Sequence, residues 1–503
     1  MIVLWTKRLM FIVIALILDT AVSAEPTVRA AQGMLTGFAE NGRTVFKGIP
    51  FARPPVGDLR WRAPVKPIVR DQVAGAFGPQ CTQKAVPASQ ENCLYLNVWT
   101  NGLDQKKQPV MVWVHGGGFR GGSGNIDGHA LAGEGVVVVS FNYRLGPIGF
   151  FAHNELPGAL NFGLLDMVAA LEWVQTNIEA FGGDPANVTI FGVSAGGQAI
   201  NLLMACPSAN GLFHRAIAQS GYGTWPLPRI RGLKAPWLKN WLGEPVEDAV
   251  SVSRALTAEL SGTDDMGSLR RLAARDLVNA LDGFQLPIVD GVSLPDEPAV
   301  VFMQGEQADV PYLTGGNSYE GSVQRGSGIT LAEVASGFAY ADKAVRAEYI
   351  ADMAGDEKLG WKRVFGDLRY VLSAHILTDA MSTVSSSAWR YYVDFVPVAY
   401  KDEWPGTPHA METIFLFSGD ASPDPEVQAL SRRMRGYWTR FAKFGDPNGN
   451  PTNRLLNARD LTWPPSTPAV PKWLVFAHED RIEEKPLGDK LGLLSGHYMR
   501  RHL

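Results

Sequence analysis

Short, continuous apolar runs constrain the fold of this chain more than any other feature. The segments PVMVWVHGG (109–117), GVVVVSFNY (135–143) and NVTIFGV (187–193) are rich in β-branched residues and do not alternate with polar ones. Such runs are typical of strands buried on both faces of a mostly parallel sheet. Parallel strands need long crossover connections. Apolar residues recur at helical spacing over 163–181 and predict a crossover helix there. The pattern predicts an α/β fold with a large, mostly parallel central sheet flanked by helices.

The same alternation continues along the rest of the chain. Further strand patterns occupy 215–221, 310–317, 389–397 and 472–476, and an amphipathic helix pattern occupies 424–445. A hairpin is indicated around Asn41-Gly42, and the Pro-rich stretch 225–310 indicates helices and loops that cap the sheet. No repeat or linker divides residues 25–503, so we expect one domain there.

The N-terminus has the pattern of a secretory signal. Lys7 and Arg8 precede the apolar run LMFIVIALIL (9–18), and small residues follow in DTAVSA (19–24). An uncleaved membrane anchor is the alternative, but ten residues at 1.5 Å each reach only about half of the ~30 Å bilayer core. We therefore expect a signal peptide over residues 1–24, a mature chain without a stable membrane anchor, and export to the periplasm or the extracellular space.

Charge and cysteine usage narrow the possible partners. The net charge is −4 and no long basic run occurs, so nucleic acid is not an expected partner. An exported protein with three cysteines is expected to hold one oxidised pair, and Cys81 and Cys93 are the natural pair because they are close in sequence. Cys206, in LLMACPS, is expected to be a buried free thiol. No CxxC or HxxxH spacing occurs, so a metal site is not expected.

The segment TIFGVSAGG (189–197) places Ser194 between small residues directly after an apolar run. One interpretation is a glycine-rich turn that merely ends a strand. The other is a sharp strand-to-helix turn that exposes a nucleophilic serine, with an acid and then a histidine following later in the chain. The remaining residues decide between the two interpretations.

Candidates for the acid and the base lie on later loops. His409 lies in WPGTPHAMETIFLF, a Pro/Gly-rich loop before an apolar run, and Glu320 ends a strand pattern in YLTGGNSYEG. Asp290, in PIVDGVSLP, is the rival acid, although Asp-Gly is a turn signal. The segment HGGGF (115–119) and the N–H of Ala195 are candidates for an oxyanion hole, because glycines let the backbone approach a substrate carbonyl closely.

Several ordered blocks resemble the type-B carboxylesterases, the α/β-hydrolase family of cholinesterases, carboxylesterases and bacterial nitrobenzyl-type esterases. The blocks run from about residue 28 to 475 and include FGGDPANVTIFGVSAGG, ENCLYLNVW, GIPFARPPVGDLRWRAP, NYRLGPIGFF and FAKFGDPN. By position, the resemblance implies that Ser194 is the nucleophile, that Glu320 orients His409 and that the apolar run after His409 is a strand. It also implies that the oxyanion N–H groups belong to Gly117, Gly118 and Ala195.

The resemblance extends to residues around this triad. Cys81 and Cys93 match the family's N-terminal disulfide, and Ser220, in QSG, resembles a serine close to the acid, with a core hydroxyl as the alternative. The loop between the two cysteines departs from cholinesterases, since its 11 residues TQKAVPASQEN carry Lys84 and no aromatic side chain. Cholinesterases place there the tryptophan that faces the choline cation. We therefore expect a preference for neutral esters.

Together these features predict an exported serine carboxylesterase whose partner is a small-molecule ester. Ester hydrolysis by such a triad implies no cofactor. Two kinds of alternative remain open. The chain could be a non-catalytic adhesion or binding protein, since some relatives of that kind have the same fold. It could also be an amidase or a lipase, since these use the same triad.

Overall fold

The structure is a computed structural model. It describes residues 25–230, 240, 242, 244, 245, 247–450 and 460–500. The expected signal peptide, residues 1–24, lies outside the described residues. Within the described part, no helix combines the length and the apolar character that crossing a membrane requires.

Fourteen strands are found in the described chain. In order they are β1 (Thr27–Ala30), β2 (Gly33–Thr36), β3 (Phe38–Glu40), β4 (Arg43–Pro50), β5 (Gln72–Val73), β6 (Tyr95–Thr100), β7 (Gln108–Val114), β8 (Val137–Phe141), β9 (Gly183–Val193), β10 (Arg215–Gln219), β11 (Tyr312–Asn317), β12 (Ala388–Val393), β13 (Trp473–Phe476) and β14 (Arg481–Glu483).

Sixteen α-helices accompany these strands in the same part of the chain. They are α1 (His129–Ala132), α2 (Gly146–Gly149), α3 (Phe162–Asn177), α4 (Ala195–Ala205), α5 (Ala249–Ser261), α6 (Met266–Arg271), α7 (Ala274–Ala280), α8 (Pro298–Gln304), α9 (Leu331–Gly337), α10 (Asp342–Glu348), α11 (Ile350–Met353), α12 (Glu357–Gly366), α13 (Leu372–Ala380), α14 (Met411–Phe417), α15 (Pro425–Phe444) and α16 (Lys490–Met499).

Eleven of the strands form one twisted sheet in the order β14-β13-β12-β11-β10-β9-β7-β8-β6-β4-β3. The seven strands from β13 to β8 are parallel to one another, and antiparallel pairs occur only toward the two edges. The expected α/β fold with a mostly parallel sheet is confirmed. A second, three-stranded sheet contains β1, β2 and β5.

The two faces of the large sheet each carry a hydrophobic core. Helices α3, α4, α8 and α13 pack on one face, while α1, α14 and α15 pack on the other. The apolar runs of β7 and β8 are completely buried from both sides, which explains why their sequences lack alternation.

One local expectation is wrong. The apolar run after His409 forms the helix α14, whereas the sequence suggested a strand. This short run is apolar except at Glu412 and Thr413, so its pattern alone does not separate a buried helix from a strand. The helix packs against α15.

The parallel strands bring the candidate residues together at the carboxyl ends of the strands. Ser194 directly follows β9, Ser220 directly follows β10, and Glu320 lies three residues beyond β11. His409 is on the long connection after β12. Because carboxyl ends of parallel strands lie on the same side, four separate segments meet there, which is where open α/β sheets usually bind ligands.

Candidate active site

Ser194 lies at a strained turn between β9 and α4. Its backbone adopts φ 60° and ψ −122°, a conformation that non-glycine residues rarely adopt, and its N–H donates to the carbonyl of Gln219 at 2.8 Å. The turn also crowds the neighbouring strand. A Cβ at Gly192 or Gly196 would lie 2.5 or 2.1 Å from the carbonyl oxygen of Val114. The glycines of GVSAG are therefore required sterically, and they allow the turn that holds the half-buried serine.

Glu320 and His409 contact each other directly. The Nδ1–H of His409 donates to Oε2 of Glu320, and both side chains are almost completely buried. The backbone N–H of His409 donates to Ser322 Oγ at 3.0 Å, which fixes the histidine loop to the turn after β11. The other ring nitrogen of His409, Nε2, is buried and has no hydrogen-bond partner. A carboxylate on Nδ1 leaves Nε2 with a free lone pair, which is the state that a general base requires.

The sequence reasoning missed a second buried carboxyl group, that of Glu412. Its Oε1 lies 2.9 Å from Ser220 Oγ and accepts from the Tyr391 hydroxyl at 2.8 Å, and its Oε2 accepts from Asn317 Nδ2 at 2.8 Å. Ser220 Oγ also lies 2.6 Å from Oε1 of Glu320. Burial raises the pKa of Glu412, and the negative charge of Glu320 raises it further.

A protonated Glu412 explains how this cluster satisfies its hydrogen bonds. Ser220 has one hydroxyl proton and lies between two carboxyl groups. If Glu412 keeps its proton, it donates to Ser220, which then donates to an ionised Glu320. The only signal in the sequence was the position of Glu412, three residues after His409.

Asp290, the rival acid, is a structural residue. Its carboxylate accepts six hydrogen bonds and makes none with His409. The donors are the N–H groups of Leu160, Val292, Ser293 and Leu294, Asn161 Nδ2 and Ser293 Oγ. These contacts hold a buried turn, as the Asp-Gly pair suggested.

The glycine-rich segment after β7 borders Ser194. Gly117 and Gly118 have φ values of 109° and 64°, and a Cβ at Gly116 would lie 3.2 Å from Ser194 Cβ. Ala195 is the first residue of α4, so its N–H lacks an acceptor within the helix and lies at the positive end of the helix dipole. An oxyanion hole requires backbone donors beside the nucleophile, and the N–H groups of this segment and of Ala195 are the candidates.

Comparison with known proteins identifies the family. The sequence model of the Carboxylesterase family matches residues 24–492. The chain belongs to the carboxylesterase family. The para-nitrobenzyl esterase of Bacillus subtilis (strain 168) is 34% identical over 92% of this chain and 97% of its own. The fumonisin B1 esterase of Sphingopyxis macrogoltabida is 34% identical over 84% of this chain and 82% of its own.

Solved structures agree with this assignment. A PNB esterase superposes with a TM-score of 0.77 at 32% identity and covers 93% of this chain and 100% of its own. The carboxylesterase EST55 of Geobacillus stearothermophilus gives 0.77 at 30% identity, with 94% and 99% covered. The chain is thus an α/β-hydrolase and an enzyme of the carboxylester hydrolase class.

In this carboxylesterase, Cys81 and Cys93 form a disulfide with a Cα–Cα distance of 4.9 Å. The loop that they close braces the glycine-rich segment. The Gln83 amide accepts from the N–H of Gly122 at 3.0 Å and donates to its carbonyl at 2.9 Å. Arg275 donates to carbonyl groups of the same loop. Cys206 is buried and free, as expected.

Lys84 of this loop is exposed. Together with Gly117 and Arg120 it lines a cavity of about 290 Å³ beside the glycine-rich segment. Lys84 and Arg120 are the positive side chains among the residues that line this cavity.

Proposed function

We propose that the chain is an exported serine carboxylesterase that works through an acyl-enzyme on Ser194. His409 Nε2 takes the proton of Ser194 Oγ as Oγ attacks the ester carbonyl carbon. The carbonyl oxygen becomes an oxyanion that accepts hydrogen bonds from the N–H groups of Gly117, Gly118 and Ala195. Glu320 stabilises the imidazolium that forms.

The tetrahedral intermediate then collapses with loss of the alcohol. His409 gives its proton to the leaving oxygen, the bond from carbon to that oxygen breaks, and an ester between the acyl group and Ser194 remains. Water repeats the sequence: His409 takes its proton, hydroxide adds to the acyl carbon, and Ser194 leaves with the proton. The products are one acid and one alcohol, and the enzyme is restored.

The observation that carries the proposal is the state of His409. Its Nδ1 is occupied by Glu320 and its Nε2 is buried without a partner, at the same sheet edge as the strained turn of Ser194. A histidine held only for stability would be expected to satisfy both nitrogens. The absence of a hydrogen bond to Ser194 does not contradict the role, because such bonds often tighten only with substrate bound.

The proposal also includes export, a single domain and the class of substrate. The sequence of residues 1–24 supports export, and the Cys81–Cys93 disulfide suits an oxidising compartment. The sheet that runs from β3 to β14 supports a single domain over 25–503. The substrate is a small carboxylic ester, and Lys84 together with the absence of an aromatic side chain in its loop disfavours a cationic one.

Substitution of Ser194 tests the proposal. Ser194→Ala should fold normally and lose at least ~10³-fold in kcat on a p-nitrophenyl ester. Ser382→Ala, at an exposed serine, is the matched control and should keep full activity. An organophosphate should add to the tryptic peptide that contains Ser194 and to no other serine. Near-normal turnover by Ser194→Ala would refute the nucleophile, and a folded wild type that cleaves no ester would favour a binding protein.

A further inference from the structure

A buried arginine lies in a cage of aromatic rings close to the proposed catalytic centre. Arg369 is 1% exposed and belongs to a π-helical turn, Asp367–Val371, that joins α12 to α13. Such turns are frequent at functional sites. The guanidinium carbon lies 4.2 Å from the ring centre of Trp225, 4.4 Å from that of Tyr222, 5.4 Å from that of Phe284 and 5.9 Å from that of Tyr370.

This guanidinium has no acidic partner. Among the residues that the structure describes, none forms an ion pair with Arg369, and its Nε and Nη2 are buried without a hydrogen-bond acceptor. Two other fully buried arginines differ in this respect, because Arg144 pairs with Asp166 and Arg390 pairs with Asp379. Burial of an unpaired charge is costly, and aromatic faces compensate only part of that cost.

The cage adjoins both halves of the proposed catalytic machinery. The ring of Tyr370 lies 4.5 Å from the ring of His409. On the other side, a Cβ at Gly118 would lie 2.4 Å from the ring of Phe284, and the N–H of Gln285 donates to the carbonyl of Gly118 at 3.0 Å. The cage therefore contacts both the ring of His409 and the glycine-rich segment that borders Ser194.

The cage also offers further donors. The hydroxyl protons of Tyr222 and Tyr370 have no acceptor in the described structure. Burial raises the pKa of Tyr222 to about 12, so its hydroxyl stays protonated at neutral pH although the charge of Arg369 opposes the rise. The half-buried ring of Phe284 is the most exposed member of the cage, and we expect a ligand to reach the guanidinium past it.

We propose that Arg369 binds a free carboxylate of the substrate, so that this enzyme prefers esters that carry one on the acyl or the alcohol part. The inference rests on the proposed function and replaces the expected neutral ester with an anionic one. Guanidinium groups suit planar, bidentate recognition of carboxylates, and the low dielectric of a buried cage strengthens that contact. A cage that only fills the core would give no preference for an anionic ester.

Matched esters test the inference on the wild type. For the acyl part, p-nitrophenyl hydrogen adipate is compared with p-nitrophenyl methyl adipate by release of p-nitrophenol. For the alcohol part, 4-carboxyphenyl butyrate is compared with its methyl ester by chromatography of the released phenol. At least about a tenfold higher kcat/KM for the anionic member of one pair is expected, as for a charged hydrogen bond. Equal values in both pairs, or a preference for the neutral esters, would overturn the proposal.

Variants separate Arg369 from the general positive potential of the site. Arg369→Met keeps much of the side-chain volume. It should lower kcat/KM for the anionic ester, leave kcat/KM for the neutral ester unchanged, and so abolish the preference. Arg369→Lys should recover part of the preference. Lys84→Met should keep the preference; its loss there would assign the effect to Lys84 and refute the role of Arg369. If Arg369→Met fails to fold, Arg369→Lys and Lys84→Met still decide: an unchanged preference in Arg369→Lys together with its loss in Lys84→Met would refute the role of Arg369.

Failure of this inference differs from failure of the proposed function. An enzyme that hydrolyses neutral esters through Ser194 without an anionic preference refutes only the role of Arg369. Persistence of all activity in Ser194→Ala refutes the mechanism itself.

Discussion

Removal of the Cys81–Cys93 disulfide should lower both stability and turnover. The two cysteines are 12 residues apart, and closure of a loop of this size contributes about 3 kcal/mol in the chain-entropy model. Unfolding entropy near 2.1 cal/mol/K per residue gives roughly 1 kcal/mol/K for a chain of this length. The double variant Cys81→Ala/Cys93→Ala should therefore unfold about 3 °C below the wild type.

Turnover should fall because the loop braces the glycine-rich segment. Gln83 holds Gly122 through two hydrogen bonds, so a looser loop would misplace the N–H groups proposed for the oxyanion hole. Loss of one such donor outright costs about 10²–10³ in kcat, and loosening should cost less, about two- to tenfold.

Calorimetry and kinetics with and without reductant measure both effects. Reductant should lower the melting temperature of the wild type toward that of the double variant and leave the variant unchanged, since Cys206 forms no bond that reductant can break. A double variant that melts with the wild type, at unchanged kcat, would refute the reasoning.

Three further predictions concern the acid, pH and substrate charge. Glu320→Gln should lower kcat by at least about 100-fold because the imidazolium loses its counter-charge, whereas Asp290→Asn should mainly lower stability; the reverse pattern in folded proteins would mean that the acid is Asp290. Burial lowers the pKa of His115 from an ordinary value of 6.5 to about 4. The folded protein therefore keeps this histidine neutral, and its free energy of unfolding should fall by about 3 kcal/mol as the pH drops from above 6.5 to 4. Denaturant unfolding of His115→Asn should lack this component of the pH dependence, and an identical pH profile would contradict it. Butyrylcholine should have a kcat/KM about 30-fold below that of 3,3-dimethylbutyl butyrate, since a cation–π contact of ~2 kcal/mol is missing; a faster choline ester would reveal an aromatic cage for cations.

Local sequence was enough to predict the strand, the turn and the helix around Ser194, because the glycines, the apolar run and the small-residue helix are contiguous. It was not enough to choose between Glu320 and Asp290, since both follow apolar segments. Their roles differ through distant partners, namely His409 for one and the segment at Leu160 and Asn161 for the other.

Two residues were beyond the reach of the sequence for similar reasons. Glu412 was hidden because the residues that contact it, Ser220, Asn317 and Tyr391, come from distant segments. Arg369 lies within an apolar helical stretch, and the rings around it come from segments near residues 222, 284 and 370. Only tertiary structure shows that its charge is unpaired.

The long sequence separations within the site have a consequence for biosynthesis. Ser220 contacts Glu320 across 100 residues and Glu412 across 192, so these three segments of the cluster leave the ribosome at very different times. A nascent or truncated chain that ends before His409 contains the serine turn but lacks both the proposed base and Glu412. Esterase activity should therefore arise only after nearly the whole polypeptide has been made and folded, which makes turnover a direct reporter of complete maturation.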